Sequence, residues 1–162
     1  MKKFIPVICT GLVALALAGC GGAANSEYAE YWDNDELIAE QTSNYTHEAF
    51  TGDQGGGETT SQSFQGFTGK YVVWNFDSEA GGSVTLNCDA EIEDGDFKLV
   101  SITPEGDVET LFEGSGSCEE TIELEAGNTR IARIGVDASG KFTGEVIGLE
   151  GATSKEIEVE IK

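Results

Sequence analysis

Histidine, basic side chains and proline are the scarce residues of this 162-residue chain. A single histidine, His47, leaves no second imidazole for a histidine-rich metal centre and few ways to build general-base catalysis. There is no GxSxG elbow, and no glycine-rich phosphate loop follows a strand and opens a helix. Nine Lys and Arg face 30 Asp and Glu, a formal charge of -21. That balance disfavours nucleic-acid binding, which needs basic patches to neutralise phosphate. It also disfavours docking on an anionic membrane through charge. No apolar run reaches the roughly 20 residues of a spanning helix. The paired carboxylates that cleave glycosides would arise here by chance among so many acids, so the chain reads as non-catalytic.

The start of the chain has a definite pattern. Lys2 and Lys3 precede an apolar run from Phe4 to Ala18, which marks residues 1–19 as a secretory signal peptide. Leu17-Ala18-Gly19-Cys20 resembles the lipobox of bacterial lipoproteins. The resemblance implies that Cys20 takes a diacylglyceryl thioether, becomes the mature N-terminus and anchors the protein by its lipid chains. The membrane is then the expected partner, on the outer face of the cell, and the outer membrane in a Gram-negative envelope. Removing two lysines with the signal leaves 30 acids and 7 bases, a charge of -23.

Of four cysteines, Cys9 leaves with the signal and Cys20 carries lipid. Cys88 and Cys118 remain, and in an exported chain two leftover cysteines are most simply a disulfide. Two free buried thiols are the alternative; a zinc site lacks both a CxxC and a nearby histidine.

Residues 20–63 read as a flexible acidic tether, because Gly52, Gly55, Gly56 and Gly57 sit among Thr, Ser, Gln and Asp. Within it, Tyr28, Tyr31 and Trp32 have the i, i+3, i+4 spacing of a helical face, with Ile38 near its continuation. Such a helix docks on a partner or stacks on a sugar, or else it is marginal and either frays or packs back on the domain. Tyr71 and Trp74 are weaker binding candidates, since aromatics on a strand are more often core.

From residue 64 to 162 the pattern changes to period two. Val84, Leu86, Cys88, Ala90 and Ile92 alternate with polar residues, as do Ile122, Leu124 and Ala126, and later Ile157, Val159 and Ile161. Stretches at Tyr71–Phe76, Phe97–Thr103 and Thr129–Val136 alternate less strictly. Glycine-bearing breaks such as Gly81-Gly82, Asp94-Gly95 and Ser139-Gly140 read as turns. The expected fold is all-β, an antiparallel, jelly-roll-like β-sandwich. The order Phe97–Val100, Pro104-Glu105-Gly106, Ile122–Leu124, Ala126-Gly127 and Gly140-Lys141-Phe142 is similar to pre-peptidase C-terminal-type accessory modules. The resemblance implies an accessory or binding role and carries no catalytic residue.

Calcium is the one cofactor the acids suggest, at Asp33–Glu36 or at Glu91, Glu93, Asp94 and Asp96 around Gly95, without the EF-hand spacing. Otherwise no cofactor is expected. Arg130 and Arg133, three apart on one strand, should face opposite ways and each balance nearby acids. The reading is thus a monomeric, lipid-anchored binding or interaction module for a glycan, envelope component or protein. The alternatives are a calcium-dependent structural module and a spacer without a ligand.

Overall fold

A computed structural model describes residues 25–155. Two short helices, α1 (Asn25–Ala29) and α2 (Asp35–Ile38), precede strands β1 (Asn44–Thr46), β2 (Ala49–Gly52), β3 (Thr59–Ile102), β4 (Val108–Glu113), β5 (Gly116–Leu124) and β6 (Gly127–Lys155). All pairings are antiparallel, and the all-β expectation holds. The terminal alternation at Ile157, Val159 and Ile161 and the lipobox at Cys20 lie outside the described residues.

The 44-residue β3 and 29-residue β6 are an antiparallel ribbon rolled over on itself. In one layer, Phe67–Ser78 and Asp96–Ile102 of β3 flank the Gly127–Ala138 part of β6. In the other, Thr59–Phe64 and Ser83–Ile92 flank Gly140–Glu150. Each long strand passes from layer to layer by bending, and glycines stand at the bends. The Asp94-Gly95 and Ser139-Gly140 pairs expected to reverse the chain are therefore corners within continuous strands. A Cβ on Gly140, whose φ is 154°, would lie 2.1 Å from the Glu91 carbonyl oxygen, so only glycine lets three strands meet there. The edges are finished by β1 and β2 along Gln62–Lys70, by β4 along Lys98–Ile102 and by β5 along Gly82–Ala90.

Between the layers lies the main core, where Phe64, Phe67, Tyr71, Trp74, Leu86, Phe97 and Phe142 are buried. Trp74 meets Phe142 edge-on at 6.2 Å and occupies the space a side chain at Gly144 would need. A second core lies on the outer face of the first layer. There Val72, Val100, Ile102, Ala132 and Ile134 are covered by Tyr31 and Ile38, with Tyr28, Trp32 and Leu37 at the margin. This is why Tyr71–Phe76 and Thr129–Val136 do not alternate: both of their faces are dry.

The cover overturns the expectation of a flexible tether for the part of residues 20–63 that the structure describes. Its glycine-rich stretch is structured as well, because the core beneath offers donors that need acceptors. The Trp74 indole donates to the Gly57 carbonyl at 2.8 Å, and the Tyr71 hydroxyl to the Gln54 carbonyl at 2.7 Å. Asp53 holds the loop in turn, accepting from Gly55 N, Ser61 N and the Thr60 hydroxyl, which keeps its carboxyl below the usual range against the opposing effect of burial.

Candidate functional site

Helix α2 is only four residues long, so nearly all its backbone groups need partners from elsewhere. At its start Asn34 is the N-cap, its side chain accepting from Leu37 N at 3.2 Å, with Asp35 and Glu36 in the first turn. The Asp33–Glu36 group considered for calcium is thus a helix start. At its end the carbonyls are met by cations from the sheet below. Lys70 Nζ donates to Ile38 O at 2.9 Å and to Glu40 O. Arg130 donates to Glu40 O and, through Nη2, to Ala39 O at 2.9 Å. Lys98 Nζ donates to Trp32 O at 2.6 Å and stands 4.9 Å from the Trp32 ring centroid. Three of the chain's few bases therefore clamp the cover by its main chain.

Holding cations there has an electrostatic cost. Burial, then the neighbouring Arg130, bring Lys70 down to about 8, partly opposed by Glu40. Arg130 is lowered by burial alone. Tyr31 lies in the same clamp, donating to Glu40 Oε2 at 3.2 Å and accepting from Asn44 Nδ2 at 2.8 Å. Burial raises its phenol more than the Asn44 contact lowers it.

Arg133 does face the opposite way from Arg130, into the main core, but neither balances acids as expected. The Arg133 guanidinium is 4.5 Å from the Phe67 ring centroid, 4.6 Å from Phe64, 4.8 Å from Tyr71 and 5.5 Å from Phe50. Its Nε and Nη1 have no hydrogen-bond partner among the described residues, and the same holds for Gln62 Oε1. Burial brings Arg133 down to about 10, with Tyr71, Tyr45 and Asp53 acting against that shift. Burial also pushes Tyr71 up to about 12. The four rings take the place of a counter-ion. No signal in the sequence marked this cage, because its members come from residues 50, 64, 67, 71 and 133 on β2, β3 and β6 and meet only through strand pairing and packing.

The candidate binding aromatics are distributed otherwise than a ligand platform requires. Tyr31 is buried, Tyr28 and Trp32 are half-buried against the second core, and Tyr71 and Trp74 are wholly inside. Packing back on the domain is the alternative that matches. His47 is exposed, its ring stacked on Tyr45 at 5.6 Å. Asp94 and Asp96 are exposed, and Asp94 Oδ1 accepts from Gly95 N at 3.0 Å. Among the described residues no group of three His, Cys, Asp or Glu is placed to hold a metal. Cys88 and Cys118 are directly opposed on β3 and β5, both as thiols.

Open depressions are present on the surface of the described residues. One of about 880 Å³ is lined by Asp77, Ser78, Gly81, Gly127, Asn128 and Gly151, and there the Asp77 carboxylate is already engaged by Lys155 and Asn128. Neither contact leaves it free for chemistry. Comparison with known proteins found no matching family model, no matching curated protein and no matching solved structure. The resemblance to pre-peptidase C-terminal-type modules rests on the sequence pattern alone.

Proposed function

We propose that the chain is a lipid-anchored, non-catalytic binding module of the outer cell surface, and that the partner it favours is cationic. The observation that carries this reading is the allocation of charge. Of the six bases among the described residues, Lys70, Arg130 and Arg133 are buried and Lys98 is turned to the cover, which leaves Lys141 and Lys155 outside. The acids stay exposed on the outward positions of the strands, as at Asp89, Glu91, Glu119, Glu123 and Glu145. A surface of one sign repels anionic bilayers and attracts basic proteins or cationic envelope components.

The lipobox supports the location. With lipid on Cys20, only four residues lie between the anchor and α1 at Asn25, a reach of at most about 18 Å. The module then sits close to the bilayer with its covered layer held near it.

The test uses the full lipidated chain in neutral phosphatidylcholine liposomes. A small basic protein should bind saturably at low salt and be released at high salt, while an acidic protein of similar size should not bind. Equal retention of both probes would overturn the partner class. Metabolic labelling with a fatty-acid precursor checks the anchor: the label should vanish in Cys20→Ala, and its persistence would refute lipidation there.

A further inference from the structure

Cys88 and Cys118 occupy directly opposed positions in the ladder between β3 and β5. Both side chains are on the inner face, Cys88 within the main core and Cys118 packed against it. Opposed residues of an antiparallel pair have Cα atoms about 4.5–5.5 Å apart, inside the range that a disulfide spans. Their accessibility differs: Cys88 is 1% exposed on an inner segment, whereas Cys118 is half-buried on β5, whose partner among the described residues is β3 alone.

We propose that this pair is an oxidisable cross-strand site in which Cys118 reacts first and Cys88 resolves. The oxidant is a disulfide of the thiol–disulfide exchange class. The Cys118 thiol gives up its proton, and its thiolate attacks one sulfur of that disulfide. The oxidant's S–S bond breaks, and one of its sulfurs leaves as a thiolate. The Cys88 thiolate, likewise deprotonated, then attacks Cys118 Sγ in the mixed disulfide and expels the second sulfur. Two protons and two electrons pass from the cysteines, and the oxidant is reduced to two thiols. The product ties the edge strand β5 to β3 and closes a loop that contains the Asp94-Gly95 corner and β4. Burial raises both thiols, Cys88 the more strongly, which agrees with Cys118 being the entry point.

The experiment treats the reduced full chain with glutathione disulfide, quenches with an alkylating agent and maps the products by mass spectrometry. A Cys88–Cys118 bond should form, preceded by a glutathione adduct on Cys118, and the melting temperature should rise by about 10 °C. In Cys88→Ser the adduct should accumulate on Cys118, and in Cys118→Ser the native chain should carry none on Cys88. The time course on the unaltered protein gives the order even if a serine variant fails to fold. Thiols that stay alkylatable after oxidant, or a first adduct on Cys88, would overturn the proposal.

Discussion

A guanidinium among phenyl rings is an unusual solution to burying a cation. Arg133 has four ring faces within 5.5 Å, yet two of its nitrogens lack partners among the described residues. Its lowered pKa says that desolvation outweighs the attraction of its surroundings. Arg133→Met should therefore leave the free energy of unfolding unchanged or raise it by about 1 kcal/mol. Arg133→Ala, which opens a cavity, should lower it by about 3 kcal/mol. Urea denaturation checks both, and a loss above about 2 kcal/mol in the methionine variant would mean that the ring faces dominate. Lys70 makes a different test. Its folded value of about 8 lies below the ordinary 10.5, so the folded chain releases this proton first. The penalty of burying the charge is present in full below pH 8 and is relieved between pH 8 and 10.5. Tyr71 acts oppositely, losing stability between pH 10 and about 12. The urea midpoint of the unaltered chain measured relative to that of Lys70→Met isolates the lysine, and it should rise from pH 8 to 10.5. A flat difference would show that Lys70 keeps an ordinary pKa.

The cover is the element the sequence concealed. Tyr28, Tyr31, Trp32 and Ile38 were legible as one apolar face, but a dozen polar-flanked residues carry no sign of where that face is satisfied. The missing half of the signal lies elsewhere. Val72, Val100, Ile102, Ala132 and Ile134 break the alternation of their strands, and a layer dry on both sides needs a lid. Strands with one wet face, such as Val84–Ile92, were legible in full. The glycine-rich loop was misread because composition does not reveal the indole and phenol beneath it. Tyr31→Ala should destabilise the fold by about 2–4 kcal/mol in chemical denaturation, through lost burial and the broken contacts with Glu40 and Asn44. An unchanged midpoint would mean that the cover is not part of the cooperative unit.

For the whole molecule, the surplus of carboxylates is a standing repulsion that salt should relieve. Raising sodium chloride from about 10 mM to about 500 mM shrinks the screening length from ~30 Å to ~4 Å, so the melting temperature should climb by several degrees. Calcium and magnesium at matched ionic strength should do so equally, since Asp94 and Asp96 point to solvent without a third ligand group among the described residues. An excess shift with calcium would restore a specific site. The rolled ribbon itself was only half legible. Strand count and antiparallel pairing follow from periodicity, whereas Gly95 and Gly140 carry the same local signature whether the chain reverses or merely bends. The choice is made by residues distant in sequence, such as Glu91 and Ile92 crowding Gly140. The inward placement of cations has one more consequence, for digestion. A protease that cuts after Lys or Arg finds only Lys141 and Lys155 exposed among the described residues, and Lys141 is paired on both sides within β6. The clamp that fastens the cover thus also hides cleavage sites, and native protein treated with such an enzyme should keep residues 25–155 nearly intact.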